Sequence, residues 1–124
     1  MGQAVPARAI LIVEDEVFIR HDLMDFFEDR GFAVFEAESA DDAIEILSRH
    51  PEIQIVLTDI QMTGSIDGLR LAHYVRERHP PVFVVVASGA VKPLPHELPT
   101  LAFFVPKPFD PRHVLSELDR LTGR

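Results

Sequence analysis

Two rhythms of hydrophobic residues alternate along this chain. Continuous apolar runs occupy residues 9–13, 32–35, 82–87 and 101–105, and a nearly continuous one residues 53–58, broken by Gln54 and ending on Thr58. Between most of them, apolar positions recur every three or four residues. Continuous apolarity fits strands covered on both faces, as in a parallel sheet, whereas the three-to-four spacing marks one face of a helix. Residues 17–30 predict a first helix, with Ile19, Leu23, Phe26 and Phe27 facing inward and Gly31 as its stop. Ser39 predicts the N-cap of a second, with Ala40, Ala43, Ile44 and Leu47 as its buried stripe and Pro51 barring continuation. Asp67 can cap a third, in which Leu71, Ala72 and Val75 share one side before Pro80-Pro81 ends it. Asp110-Pro111 opens the last, with Val114, Leu115, Leu118 and Leu121 inward and Gly123 after it.

Residues 88–100 break this regularity. An alternating pattern calls for a helix there, but the segment holds Pro93, Pro95 and Pro99. Proline inside a helix costs about 3 kcal/mol, so at most a short, distorted helical turn is expected. The order is then strand–helix three times, a strand, a degenerate helix, a strand and a final helix. Right-handed crossovers turn that order into an α/β fold. The natural candidate is a flavodoxin-like, doubly wound five-stranded parallel sheet of order 2-1-3-4-5, with helices on both faces. Residues 1–8 read as a loose leader and 9–124 as one domain.

Composition narrows the function classes. A chain of 124 residues, 47% hydrophobic, suits one domain with a real core. Its net charge of -8, from 20 acidic and 12 basic residues, argues against a basic surface for direct contact with nucleic acid or anionic membrane. The absence of cysteine excludes disulfides and thiol chemistry. No apolar run approaches the roughly 20 residues of a spanning helix, and residues 1–8 lack the apolar core of a signal peptide. These features lead to the expectation of a soluble, cytoplasmic protein. The six histidines are scattered, with no zinc-like pair among them.

Chemistry concentrates where strands end. Glu14 and Asp15 follow the first strand, Asp59 the third and Lys107 the fifth. In a doubly wound sheet the first and third strands are neighbours and the switch point lies between them, so three carboxylates would crowd one crevice. Two unit charges ~4 Å apart repel by about 4 kcal/mol at an effective dielectric of 20. Such a cluster must hold a proton at raised pKa or bind a cation. Oxygen-only ligands favour a hard ion, Mg²⁺ first, which binds through one or two carboxylates plus phosphate. A carboxylate is also a nucleophile for phosphoryl transfer. Asp59 as nucleophile, Asp15 as main metal ligand and Lys107 as phosphate clamp form a sufficient set. Taken singly, each has a blander reading: helix cap for Glu14-Asp15-Glu16, loop acid for Asp59, surface lysine for Lys107. Their joint placement at three strand ends is what carries the functional one.

Three segments resemble the receiver domain of two-component response regulators: Ile12-Val13-Glu14-Asp15-Glu16; Thr58-Asp59-Ile60-Gln61-Met62 with Asp67-Gly68; and Pro106-Lys107-Pro108-Phe109. The resemblance covers nearly the whole chain. It implies phosphorylation of Asp59 by a histidine kinase or a histidine phosphotransfer protein. It also implies Mg²⁺ held by Asp15, Asp59 and the backbone carbonyl of Gln61, with Glu14 acting through water and Lys107 on the phosphoryl oxygens. Two switch positions belong to the pattern. An aromatic residue three before the lysine is matched by Phe104. A hydroxyl residue at the end of the fourth strand is matched by Ser88, or lost if Ala87 fills that position.

The chain departs from the pattern in three places. The loop 63–68 is one residue longer, Thr63 stands where proline is usual, and the proline-rich 91–99 replaces a regular fourth helix. That helix and the fifth strand usually carry the output surface. Because the chain ends at its last helix, the expectation is a stand-alone phosphoacceptor switch acting on a partner protein, with at most self-catalysed phosphorylation and dephosphorylation. Two rivals remain. A Mg²⁺-dependent phosphohydrolase with an aspartyl-phosphate intermediate would want an acid where Gln61 stands. A non-phosphorylated, protein-binding pseudo-receiver would not need Asp15, Asp59 and Lys107 together.

Overall fold

The computed structural model describes residues 8–62 and 66–123. Its elements are β1 (Ala9–Val13), α1 (Val17–Asp29), β2 (Ala33–Ala37), α2 (Ala40–Arg49), β3 (Ile55–Asp59), α3 (Gly68–Arg78), β4 (Phe83–Ser88), β5 (Ala102–Pro106) and α4 (Pro111–Thr122). Every strand pair is parallel and the order is β2-β1-β3-β4-β5, the expected flavodoxin-like arrangement. Successive strand residues face opposite sides, and both sides are covered. Leu11, Val13, Val56, Val84 and Val86 pack with Ala43 and Leu47 of α2 and Leu71 and Val75 of α3. Ile10, Ile12, Leu57 and Val85 pack with Phe27 of α1 and Val114 and Leu118 of α4. This double burial is why the strands read as nearly continuous apolar runs.

The caps act as their sequences suggest. Ser39 accepts from the Asp42 amide, Asp67 from Arg70 and Asp110 from Arg112, and Gly31 and Gly123 take positive φ just beyond α1 and α4. Strand ends shift by one or two residues. The third strand includes Asp59, because Asp59 still pairs with Ala87 and the Ile60 amide bonds the Ala87 carbonyl at 2.9 Å. The proposed leader falls outside the described residues except for Arg8. That residue is tethered, its guanidinium 2.7 Å from Asp119 and stacked over Phe32. The longer loop after Met62 also falls mostly outside them.

Two buried stripes need correction. In α1, Ile19 is exposed, while Leu23, Phe26 and Phe27 join the core as expected and Arg20 is buried beside them. Arg20 is accommodated there because its guanidinium finds partners in the Glu14 carbonyl and the Glu36 carboxylate. In α4, Leu121 is exposed, in the last turn beyond the residues packed on the sheet.

Between β4 and β5 the chain forms only a 3₁₀ turn, Pro95–Glu97, matching the expected short, distorted helical turn. The segment is nonetheless well bonded. The Leu94 amide donates to the Glu97 carboxylate (2.7 Å), and Leu98 packs on the core side shared with α2 and α3. From α3, His73 Nε2 donates to the Glu97 carbonyl at 2.7 Å. Arg76 is shared among the carbonyls of Pro80, Val82, Thr100 and Leu101. Arg76 thus ties α3 to the entrances of β4 and β5. Leu101 is held in left-handed backbone (φ 57°) at this junction, a conformation that costs a non-glycine residue about 1–2 kcal/mol.

Candidate functional site

Register brings the acids together. Val13 of β1 lies beside Thr58 of β3, so Glu14 and Asp59, one step on, emerge level at the carboxyl edge of the sheet. Asp59 pairs with Ala87, and Ala87 with Val105, two residues before Lys107. Ligand oxygens of Glu14, Asp15 and Asp59 come within 4.8 Å of one another. Lys107 Nζ reaches across to Asp59 Oδ2 at 2.8 Å and Glu14 Oε1 at 3.1 Å.

The α3 N-terminus fixes the backbone of this acid. The Gly68 amide bonds the Ile60 carbonyl at 2.9 Å. A Cβ on Gly68 would lie 2.1 Å from the Asp59 carbonyl oxygen and 2.8 Å from Ile60 Cα. Only glycine permits that approach. The Asp67-Gly68 pair thus has a double role, cap and contact surface.

Each polar atom of Glu14 is engaged. Its amide donates to the Ala37 carbonyl, and its own carbonyl accepts from Arg20 at 2.8 Å. Its carboxylate accepts from Lys107 and from the Glu16 amide. Burial pushes the Glu14 carboxyl above its ordinary pKa, against the hydrogen bonds from Glu16 and Lys107. Burial also acts to lower the Lys107 pKa, but its bonds to Asp59 and Glu14 outweigh that and hold the ammonium above its usual value. So Lys107 is a charged counter-ion bonded to both Glu14 and Asp59. The donor set is hard and all-oxygen, and Asp15 leaves one side open to solvent. That combination fits a small divalent cation such as Mg²⁺.

Other expected residues take distinct places. The Gln61 amide donates to Asp59 Oδ1 at 3.3 Å. Ala87 lines the small hollow between Glu14, Asp59, Lys107 and Phe109. Ser88 is buried one residue further along, and its Oγ accepts from the amides of Ala90 (3.2 Å) and Val91 (3.0 Å). Phe104 is half-buried beside Val86, on the α2–α3 side, with Phe103 on the other. Next to Lys107 a cleft of about 440 Å³ opens between α1 and the start of α4, lined by Ile19, Asp22, Leu23, Pro108, Phe109 and Pro111.

Arg20 was missed in the sequence. An arginine inside an apolar helix stripe reads as a polar interruption. The available signal was its position, one turn after Glu14-Asp15-Glu16 and on the face that the helix buries.

Comparison with known proteins agrees with this geometry. Residues 10–119 match the response regulator receiver domain family. The nitrogen assimilation regulatory protein NtrX of Azorhizobium caulinodans is 40% identical over 85 residues, which is 67% of this chain and 18% of that protein. The transcriptional regulatory protein ResD of Bacillus subtilis is 33% identical over 118 residues, 93% of this chain and 48% of ResD. This chain thus spans less than half the length of either relative. The crystal structure of a response regulator receiver protein from Sinorhizobium medicae superposes with a TM-score of 0.84 at 28% identity, covering 93% of this chain and 94% of that one. With a family match over most of its length and the acid–lysine constellation at the sheet edge, the chain belongs to the receiver domains of two-component response regulators.

Proposed function

We propose that this receiver domain accepts a phosphoryl group on Asp59, assisted by Mg²⁺, and passes the signal to a partner protein by a change of conformation. The observation that carries this reading is the convergence of Asp59, Asp15, Glu14 and Lys107 on one hollow. The donor would be a phosphohistidine on a histidine kinase or a histidine phosphotransfer protein. An Asp59 carboxylate oxygen attacks phosphorus, the P–N bond to the imidazole breaks, and an aspartyl phosphate remains. Such transfer is mostly positioning and charge stabilisation. Asp15, Asp59 and the Gln61 carbonyl would hold the ion, with Glu14 acting through water. When bound, Mg²⁺ supplies positive charge to the phosphoryl oxygens. Lys107, already 2.8 Å from Asp59 Oδ2, supplies charge from the opposite side. The Gln61 amide keeps the other Asp59 oxygen oriented.

For readout, Phe104 is the proposed aromatic switch. Ser88 Oγ accepts from the Ala90 and Val91 amides and keeps its own O–H to donate, whereas Ala87 lines the hollow and has no hydroxyl to offer.

The test is phosphorylation with a small phosphodonor and Mg²⁺, followed by intact mass under acid and base. The expected result is one acid-stable, base-labile phosphate on the wild type and none on Asp59→Asn. No adduct on the wild type, or an equal adduct on the variant, overturns the reading. Steady turnover of simple phosphate esters would point to the hydrolase instead.

A further inference from the structure

Arg20 is a buried charge that the phosphoacceptor chemistry does not use. It is only 6% exposed, in the first turns of α1, among Leu23, Met24 and Phe27. Burying a guanidinium is costly unless its donors are bonded. Here Nη1 donates to the Glu14 carbonyl at 2.8 Å and Nε to the Glu36 carboxylate at 2.8 Å. We propose that Arg20 is a positioning residue for the divalent-cation site, fixing through the Glu14 carbonyl the backbone from which Glu14 and Asp15 project. This rests on the reading of Asp59 as a metal-assisted phosphoacceptor.

The two cations near the acids hold different atoms. Lys107 sits on carboxylate oxygens, the same atoms an incoming cation would take. It is a mobile point charge on a flexible stem, suited to shifting from carboxylates to a phosphoryl group. Arg20 grips the peptide behind the acids, through the Glu14 carbonyl. When Lys107 moves, Glu14 loses one side-chain bond, while its carbonyl stays anchored by Arg20 and its amide by Ala37. The planar guanidinium spans two acceptors at fixed spacing, linking the β1–α1 loop to Glu36 near the end of β2. A loop carrying two neighbouring acids otherwise relaxes by splaying them apart, which would spoil the 4.8 Å cluster.

Charge and position make opposite predictions, so the sign of one measurement decides. By charge alone, Arg20 repels a divalent ion, and removing it would tighten binding. By position, removing it loosens the ligands and weakens binding. Outer-sphere partners of metal ligands typically carry 10–100-fold of affinity.

The experiment titrates Mn²⁺ into the whole chain and counts the free ion by electron paramagnetic resonance, with circular dichroism confirming the fold. Arg20→Met is expected to raise the Kd about tenfold, at the low end of that range. Arg20→Lys recovers part of the loss by restoring one donor. Glu36→Gln removes the other ion-pair partner but keeps the bond to Glu14, and stays within about twofold of wild type. An unchanged or lower Kd in Arg20→Met overturns the proposal, as does an equal loss in Glu36→Gln. If Arg20→Met does not fold, a Kd in Arg20→Lys equal to or below wild type overturns it, and a raised one supports it. A wild type that binds no Mn²⁺ would instead overturn the metal reading of the site and, with it, this one.

Discussion

The carboxyl edge of the sheet and the β4–β5 connection are built on opposite principles. At the edge, charges converge: three acids and a lysine, positioned by strand register and by the close approach of Gly68 to Asp59. In the connection, a whole helix has been replaced by proline-rich chain, yet it is held by side chains reaching from α3, Arg76 and His73, and by Leu98 on the core. The first region carries chemistry that tolerates little change in position. The second presents a surface, with Val91, Leu94 and Leu101 exposed. A helix there would have supplied its own backbone hydrogen bonds. Here the Arg76 guanidinium bonds carbonyls at the entrances of both β4 and β5.

Three substitutions break or sharpen this contrast. The largest effect is expected from Gly68→Ala, because the added Cβ meets backbone atoms that cannot move aside. A loss of about 3 kcal/mol, at the upper end of overpacking costs, should appear in urea unfolding, with phosphorylation of Asp59 impaired in the folded fraction. An alanine variant as stable and as active as wild type would show that the α3 N-terminus does not set the acid's position. Arg76→Met comes next. Loss of charged donors to carbonyls near Val82 and Thr100 should cost about 2 kcal/mol and speed amide exchange and proteolysis through residues 91–100. Phosphorylation by a small donor should be retained, since the acid cluster is untouched. If Arg76→Met instead abolished phosphorylation while the fold held, the two regions would not be separable. The smallest effect belongs to Ser88→Ala. Leaving the Ala90 and Val91 amides without their acceptor should cost about 1 kcal/mol and speed exchange at those amides alone. Phosphate uptake on Asp59 equal to wild type would fit a hydroxyl serving the loop. A marked loss of uptake or of phosphate lifetime would return Ser88 to the phosphoryl group.

How far each region was legible in the sequence follows from the range of its interactions. The strands declared themselves by nearly continuous apolar runs, and the caps by Ser39, Asp67 and Asp110 in their local contexts. The degenerate fourth helix was visible because proline acts on its own backbone and on the turn before it. The acid constellation was legible because each member stands at the end of a strand and the strand order then aligns them. In α1, Ile19 was placed inward and Arg20 overlooked for the opposite reason. Periodicity ranks residues by hydrophobicity, and Arg20 enters the core only because Glu14 and Glu36, from other elements, are there to receive it. The role of Arg76 is hidden in the same way, its acceptors lying up to 25 residues along the chain.

By itself, then, the sequence determined the parallel α/β fold, the helix boundaries to within a residue or two, and Asp59, Asp15 and Lys107 as the residues to watch. These follow from local propensity, from period, and from a topology that right-handed crossovers leave little room to vary. Only the tertiary structure decided that Ala87 and not Ser88 lies across from Asp59, that Gly68 is packed against the Asp59 backbone, and that two buried or half-buried arginines hold the loops. A one-residue step along a strand reverses the face on which a side chain stands, and a partner for a buried charge comes from wherever packing delivers it. Neither is written in the order of residues alone.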